Sequence, residues 1–408
     1  MTDDKGTNQT AAFLFVYVTV LLDALSLGIV FPVLPNLMTE FASAPAFSAP
    51  HVVGLFGTVW GLMQLLFSPV QSVLSDHFGR RPLLLISNIS LGLGYILMAS
   101  APGFHWLLAG RAICGMSSAS ISTAFAYRSD VLPVERRTDG FGVLGVAMAA
   151  GTLFGPALGA LLGSDDLRLP FWIAAGLSLA NGIFGFLVLP ESLARQQRAP
   201  FSWQRANPYG SLRFLVQRPE VRGLAMVNFL NNFSSLALPN IGALYMLYRY
   251  DWSGRMVGFA MAGIALSLMV VQGGLIGPAV KRFGERATLL IGLSCGAVAF
   301  AVFALAGSGA IFLAAIPLLA FRGFASPASL AFMSRRVPPA EQGLLQGAHS
   351  TLLGVSSLLA PAVLTHIFSV STEGQLHFPG ATFTLAALIL TLALLIAWRT
   401  TRPGNQSC

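Results

Sequence analysis

Residues 75–101 read SDHFGRRPLLLISNISLGLGYILMASA, a charged turn followed by an uncharged stretch from Leu83 to Ala101. The uncharged part has about the 20 residues that a helix needs to cross the core of a bilayer. It lacks the alternation of apolar and polar residues that a strand of a membrane barrel shows. Because a segment in lipid must satisfy its backbone hydrogen bonds internally, this stretch predicts a transmembrane helix.

Similar apolar stretches follow one another from Ala11 to Trp398. The chain of 408 residues is 55% hydrophobic and 10% charged, with a mean hydropathy of +0.71. Soluble domains carry about 25% charged residues, so this composition argues against a soluble enzyme. We predict an all-α integral membrane protein with twelve transmembrane helices. The predicted spans are 13–35, 53–73, 83–101, 106–127, 139–163, 170–190, 223–247, 256–279, 286–306, 310–333, 343–369 and 380–398.

The basic residues predict the orientation, because Lys and Arg resist translocation. With the N-terminus inside, most of the 24 basic residues fall in cytoplasmic segments. The external loops hold Arg168, Arg249 and Arg255, and the spans hold Arg111 and Arg322. Both termini are therefore predicted to be cytoplasmic. The net charge of +8 indicates contact with the inner leaflet rather than with nucleic acid.

An internal repeat predicts two related halves. Phe78-Gly79 recurs as Phe283-Gly284, and Pro156 recurs as Pro361, both at a separation of 205 residues. A polar stretch without a span lies between the sixth and seventh spans. We therefore predict an N-terminal six-helix half at 1–190, a cytoplasmic linker at 191–222 and a C-terminal half at 223–408. Three scattered cysteines predict neither a disulfide framework nor a metal site.

Seven motifs are spread over nearly the whole chain. The first half carries LDALSLGIVFPVLP at 22–35, SDHFGRRP at 75–82, GRAICG at 110–115 and GTLFGPALGALLG at 151–163. The second half carries DWSGRMVGFAMAG at 251–263, KRFGERATLL at 281–290 and EQGLLQG at 341–347. Together these motifs resemble those of the drug:proton antiporters of the major facilitator superfamily, and the nearest branch is the tetracycline-efflux (Tet) branch.

The resemblance implies a major facilitator fold, with two six-helix halves related by pseudo-twofold symmetry, in a bacterial inner membrane. It also implies coupling to protons without a cofactor. The drug exporters of this family carry additional acids in helices 3 and 9, and those positions fall here near Gly94 and Gly296. This departure puts tetracycline export by the usual charge arrangement in doubt.

Asp23 is the candidate for proton coupling. It is the acid, among the 16 of the chain, that lies deep in a predicted span. A charge at bilayer depth costs about 3 kcal/mol even on a lenient scale, which makes each one a functional hypothesis. Arg111 is its expected partner, although Arg111 could instead hold a substrate carboxylate and Asp23 could belong to a structural ion pair.

Other polar residues in the spans are candidates for substrate binding. Asn228, Asn231 and Asn232 share one face of the seventh span, where they could bind a substrate or bond to a neighbouring helix. Arg322 could bind substrate or extend to the inner interface, and His349 could line a cavity or lie neutral in the core. The weaker lining candidates are Gln64, Trp60, Tyr245 and Gln272.

The cytoplasmic charges indicate a gate. Ion pairs among them could favour one state of a transporter and break in the other, although topology alone could also explain the basic residues. The candidates for gating are Asp76, Arg80, Arg81, Asp130 and Arg136. Gly151, Gly155 and Gly159, together with Pro156, favour close packing or bending of the fifth span.

These features together predict a proton-coupled antiporter that exports a small organic molecule by alternating access. The substrate could be an anionic or zwitterionic carboxylate metabolite, a siderophore or a drug. We expect a monomer in the bilayer whose partners are its substrate and protons. The rival hypotheses are a facilitative or proton-symport importer and a non-transporting receptor. The sequence holds no nucleotide-binding loop of the Walker type, so ATP-driven pumping has no support.

Overall fold

The protein is helical throughout the described part of the chain. The computed structural model describes residues 3–30, 33, 37, 49–117, 120–131, 137–164, 166–198, 215–337, 342–373 and 378–402. These residues form helices and turns and hold no strand, which confirms the all-α class. The chain divides into two compact units, unit 1 with residues 1–44 and 62–207, and unit 2 with residues 45–61 and 208–408.

The helices follow the predicted spans. The first seven are α1 (Asp3–Val30), α2 (Ala49–Phe78), α3 (Arg80–Ala99), α4 (Phe104–Met116), α5 (Ser120–Val131), α6 (Arg137–Leu162) and α7 (Leu169–Val188). The others are α8 (Pro219–Ser235), α9 (Ala237–Tyr250), α10 (Gly254–Val270), α11 (Ile276–Leu305), α12 (Gly309–Ala314), α13 (Ile316–Ala320), α14 (Ala325–Ser334), α15 (Gln342–Glu373) and α16 (Ala381–Thr400).

Two irregular turns interrupt the helices of unit 2. A π-turn at Val271–Leu275 joins α10 to α11, and a 3-10 turn at Phe321–Phe324 joins α13 to α14. π-turns inside helices occur frequently at functional sites. The tenth predicted span is therefore a chain of short helices, whose irregular turn carries Arg322.

The repeat in the sequence is also a repeat in conformation. Gly79 has φ 110° and ψ 163°, and Gly284, its counterpart 205 residues later, has φ 78° and ψ 165°. Both values of φ are positive, in a range that glycine adopts without steric cost. Helix continues on both sides of each glycine, so the residue turns the chain between two consecutive predicted spans.

Eight helical stretches within the described residues are long and apolar enough to cross a membrane. One of them, Gly254–Leu305, has 52 residues. A straight helix of that length would measure about 80 Å, against about 30 Å for a bilayer core. The turn at Gly284 allows this stretch to hold two crossings. The count of twelve crossings stays a prediction.

Within unit 1, α1 packs along α6 and α3 packs along α7. The first contact depends on three glycines of α6 spaced four residues apart. The backbone oxygens of α1 occupy the space that a Cβ would need at each of them, with Leu21 at Gly151, Leu25 at Gly155 and Ile29 at Gly159. The glycines thus let the two backbones approach closely, as small residues do between membrane helices.

Unit 2 repeats this arrangement, since α8 packs on α15 and α11 packs on α16. Its core holds an aromatic cluster of Tyr245, Tyr250, Phe303, Phe312 and Phe383. Residues 49–61 of α2 also belong to unit 2. Their glycines Gly54, Gly57 and Gly61 pack against Thr365, Pro361 and Ser357 of α15.

We expect Gly159→Ala to lower the unfolding temperature of the purified protein, because the added methyl group meets the Ile29 carbonyl. Overpacking of this kind costs about 1–3 kcal/mol. Gly176→Ala is the matched control, since nothing lies within 4 Å of a Cβ at exposed Gly176. Thermal unfolding in detergent measures both. Equal unfolding temperatures for the two variants would contradict the close contact of α1 with α6.

Candidate functional site

Unit 1 buries an acid and a base on two of its helices. Asp23 on α1 is 4% exposed, and Arg111 on α4 is 1% exposed. A charge removed from water is stable only with compensating polar groups around it. These two residues are therefore the groups in unit 1 whose environment matters most for function.

Tyr95 of α3 is a neighbour that the two charges share. Its ring is fully buried, and its hydroxyl lies within electrostatic reach of Cys114, Arg111 and Asp23. Among the described residues, the hydroxyl has no hydrogen-bond partner. A buried hydroxyl without a partner costs about 1–3 kcal/mol of stability, so its retention suggests a use other than folding.

The approach of α3 to α4 places Tyr95 beside Arg111. A Cβ at Gly94 would stand 2.7 Å from Cys114 Sγ and 3.0 Å from the Gly110 carbonyl oxygen. There is no room here for the acid that the resemblance places at this position. Glycine at 94 instead lets the two helices touch.

A buried amide network holds α1, α3 and α7 together one turn below Asp23. Asn181 Nδ2 donates to Thr19 Oγ1 and to Asn88 Oδ1, each at 2.9 Å. Asn88 in turn donates to the Leu84 carbonyl at 2.9 Å. Thr19 lies four residues before Asp23 on the same face of α1, so the network fixes the helix that carries the acid.

The predicted gating charges form one cluster at the Gly79 turn. Arg80 pairs with Asp76 at 2.5 Å and with Asp130 of α5 at 3.1 Å. Arg81 Nη2 donates to the Phe186 carbonyl of α7 at 2.8 Å. The cluster thus joins three parts of unit 1. Arg136 lies outside the described residues.

Glu191 completes this cluster, and the sequence analysis missed it. Its carboxylate accepts from the backbone N–H groups of Arg80 at 2.9 Å and Arg81 at 3.3 Å. These N–H groups begin α3 and have no partner within the helix, and a carboxylate there also meets the positive end of the helix dipole. Glu191 also lies 3.8 Å from Arg198.

Arg322 is the half-buried base in the spans of unit 2. Its Nη1 donates to Asn231 Oδ1 of α8 at 3.4 Å. Its aliphatic stem lies across Gly296 of α11, because a Cβ there would stand 2.8 Å from Arg322 Cγ. Gly296 is the second position where the resemblance expects an acid. Here it is a glycine, and the side chain of Arg322 fills the space beside it.

The other candidates for substrate binding differ in their surroundings. Asn228 and Asn231 are buried, and Asn232 is half-buried. His349 is half-buried, and its Nδ1 has no partner among the described residues. Gln64 and Trp60 are half-buried, whereas Gln272 is exposed.

Tyr245 has a structural contact that occupies its polar group. Its hydroxyl donates to the Phe303 carbonyl at 2.7 Å, and its ring lies in the aromatic cluster of unit 2. A buried tyrosine normally has such a partner for its hydroxyl. This geometry accounts for Tyr245 by packing, and its role in substrate binding stays a prediction, as do the roles of the other candidates.

The family follows from comparison with known proteins. The profile of the Major Facilitator Superfamily matches residues 16–361 and, in a second match, residues 224–407. The chain belongs to the major facilitator superfamily. This result confirms the predicted family and the predicted fold. Members of this superfamily are transporters, so the protein is a membrane transporter.

Relatives of this facilitator include tetracycline resistance proteins, as the motifs predicted. The class C protein of Escherichia coli is 32% identical over 362 residues, which cover 89% of this chain and 91% of that protein. The class G protein of Vibrio anguillarum is 32% identical over 378 residues, which cover 90% and 93%.

Solved structures show the same fold. The human organic anion transporter MFSD10 (TETRAN) superposes with a TM-score of 0.75 at 24% identity, covering 95% of this facilitator and 99% of that chain. The D-xylose-proton symporter superposes with a TM-score of 0.81 at 15% identity, covering 98% and 99%. At these identities the likeness concerns the fold alone.

We expect Tyr95→Phe to raise the unfolding temperature and to lower the rate of transport. The substitution removes a buried hydroxyl that has no partner among the described residues, so folding should gain about 1 kcal/mol. The rate of transport should fall, because the substitution removes a hydroxyl that lies near both Asp23 and Arg111.

Thermal unfolding and transport by proteoliposomes measure the two effects of this substitution. Tyr248→Phe is the control, since Tyr248 is exposed on α9. A Tyr95→Phe variant that is more stable and fully active would leave Tyr95 with a packing role alone.

Proposed function

We propose that this facilitator is a proton-coupled antiporter that exports a small organic molecule from the cytoplasm by alternating access. The observation that carries the proposal is that Asp23 and Arg111 are both buried in unit 1 and that the Tyr95 hydroxyl lies within electrostatic reach of each. A carboxyl group in such a site can gain and lose a proton when the position of a nearby cation changes. The names of the tetracycline resistance proteins support export as the direction.

The substrate in this proposal is an organic anion or a zwitterion rather than a cationic drug. Buried Arg111 and half-buried Arg322 are bases in the spans of the two units, and Asp23 is the acid that lies deep in a predicted span. Carboxylate metabolites and siderophores fit such a charge balance, and tetracycline fits it less well, because Gly94 and Gly296 carry no acid.

The cluster at Gly79 serves in this proposal as a cytoplasmic gate. Exposed ion pairs contribute only about 0–1 kcal/mol each. Arg80 is different, because its side chain is only 12% exposed and it bonds to two carboxylates at once. A network of this kind is strong enough to bias an equilibrium between two states of similar energy.

A proton symporter that imports its substrate is the second candidate. The D-xylose-proton symporter has the same fold, so the fold alone does not decide the direction of coupling. The sign of substrate-driven proton movement separates the two. We place the protein in a bacterial inner membrane with both termini in the cytoplasm, on the distribution of its basic residues.

We expect Asp23→Asn to abolish substrate-driven proton movement, because an amide cannot carry the coupled proton. The measurement uses inverted vesicles that are energised to an acidic interior and loaded with a pH-sensitive dye. Drugs, carboxylates and siderophores are then added one at a time. An antiporter responds to its substrate with alkalinisation, and Asp23→Asn should reduce this response to the background seen without substrate, as expected for loss of a proton-transferring group.

Asp251→Asn is the matched control for this experiment. Asp251 is exposed at the end of α9 with φ 52°, a conformation that asparagine also adopts, so the same exchange there should leave transport unchanged. Acidification on addition of substrate would indicate symport. Full alkalinisation by Asp23→Asn would exclude Asp23 as the coupling residue.

A further inference from the structure

Arg322 lies in a part of the chain without any compensating acid in the spans. The acids of the second half are Asp251, Glu285, Glu341 and Glu373, and every one of them lies outside the predicted spans. A permanently charged guanidinium at membrane depth therefore has no carboxylate of its own half beside it. Such a charge is costly and marks a functional position.

The described contacts of Arg322 use few of its hydrogen-bond donors. A guanidinium has five N–H donors. Nη1 donates to Asn231 Oδ1 at 3.4 Å, while Nε is buried and has no acceptor among the described residues. The side chain is therefore held in place by a neutral amide, and it retains N–H groups for an anionic acceptor.

Gly296 positions the stem of this arginine. A Cβ at this residue would stand 2.8 Å from Arg322 Cγ, 3.0 Å from Arg322 Cδ and 2.9 Å from Leu390 Cδ1. Any larger residue at 296 would push the stem away from α11. The bond to Asn231 on α8 shows that the stem extends between helices of unit 2 instead of running free towards the inner interface.

An exposed amide lies beside this arginine. The 3-10 turn that carries Arg322 packs on the π-turn that carries Gln272. A Cβ at Gly323 would stand 3.1 Å from Gln272 Nε2, so the amide lies over the residue that follows Arg322. Gln272 is exposed, and it can add a neutral N–H donor to those of the guanidinium.

We propose that Arg322 binds the carboxylate of a small organic anion, that Gln272 supplies a further donor, and that Gly296 determines this selectivity. With glycine at 296 the arginine has no internal carboxylate in its half and pairs with that of the substrate. An acid at 296 would occupy the arginine instead. The proposal rests on the proposed transport function and assigns the substrate class to unit 2, whereas Asp23 in unit 1 carries the proton.

The first test introduces an internal carboxylate in the full-length protein. Gly296→Asp and Gly296→Asn have the same steric cost, and only the aspartate can pair with the guanidinium. We expect Gly296→Asp to unfold at a higher temperature than Gly296→Asn, and we expect the difference to vanish when both also carry Arg322→Gln. If Gly296→Asp and Gly296→Asn unfold at the same temperature in the protein that keeps Arg322, the charge of the arginine is already compensated. That result would overturn the proposal.

The second test measures ligand binding to the purified protein. The probes are a series of monocarboxylates from acetate to benzoate, each compared with its uncharged amide. A ligand that binds the folded state raises the unfolding temperature. We expect carboxylates of this series to stabilise the protein more than their amides do. The affinity should fall about tenfold or more in Arg322→Gln and in Gly296→Asp, because a charge-assisted bond is lost.

The controls decide between the possible outcomes. Arg322→Lys should retain part of the binding, and Arg255→Gln at an exposed arginine should retain all of it. If carboxylates and amides stabilise the protein equally, or if Arg322→Gln binds benzoate as well as the wild type does, the proposal is wrong. If both variants at position 296 fail to fold, the carboxylate affinities of Arg322→Gln and Arg322→Lys still test whether the arginine binds the anion.

This test is independent of proton coupling, since it measures binding at equilibrium. Loss of substrate-driven alkalinisation in Asp23→Asn, combined with unchanged carboxylate binding in Arg322→Gln, would retain the antiporter and reject the anion site. Unchanged alkalinisation in Asp23→Asn, combined with loss of carboxylate binding in Arg322→Gln, would retain the anion site and reject Asp23 as the coupling residue of an antiporter.

Discussion

The cost of holding a charge in a bilayer governs this structure. Hydrocarbon provides no water to hydrate an ion, so a charged side chain in a span needs polar neighbours from the protein. In unit 1 the hydroxyl of Tyr95 lies within electrostatic reach of Asp23 and Arg111. In unit 2 the guanidinium of Arg322 donates to the side-chain amide oxygen of Asn231. The two units solve the problem differently, because one contains an acid in its spans and the other contains none.

Close helix contacts make these arrangements possible, and glycine provides them. Gly94 lets α3 touch α4, which places Tyr95 beside Arg111. Gly296 accommodates the stem of Arg322, and the glycines of α6 let α1 approach closely. Lipid is as apolar as the side chains, so helices in a membrane associate through such packing and through hydrogen bonds. The proposed proton site of unit 1 and the proposed anion site of unit 2 both depend on such glycine contacts.

Much of the scaffold follows from local sequence. The apolar stretch after Gly79 predicts a helix, and the recurrence of Phe78-Gly79 at Phe283-Gly284 predicts a repeated turn, which the structure shows as two glycines of positive φ. The sequence did not predict which residue caps the helix that begins at Arg80. Its cap comes from Glu191, and a contact between residues 111 positions apart leaves no periodic signal in a single sequence. Tyr95 was missed for the same reason, since a tyrosine in an apolar span has no spacing that distinguishes it from a packing residue.

The sequence by itself determined that the chain is an all-α membrane protein of the major facilitator type, and that its predicted spans hold one deep acid and two bases. Hydropathy, charge and repeat are properties of short segments, so they can be read without coordinates. Only the tertiary structure decided which groups surround those charges. In the structure Tyr95 lies near Asp23 and Arg111, and the side chain of Arg322 packs on Gly296. The hydroxyl of Tyr245 donates a hydrogen bond to the Phe303 carbonyl. These contacts join helices that are distant in the chain, and the close packing of their backbones selects the partners.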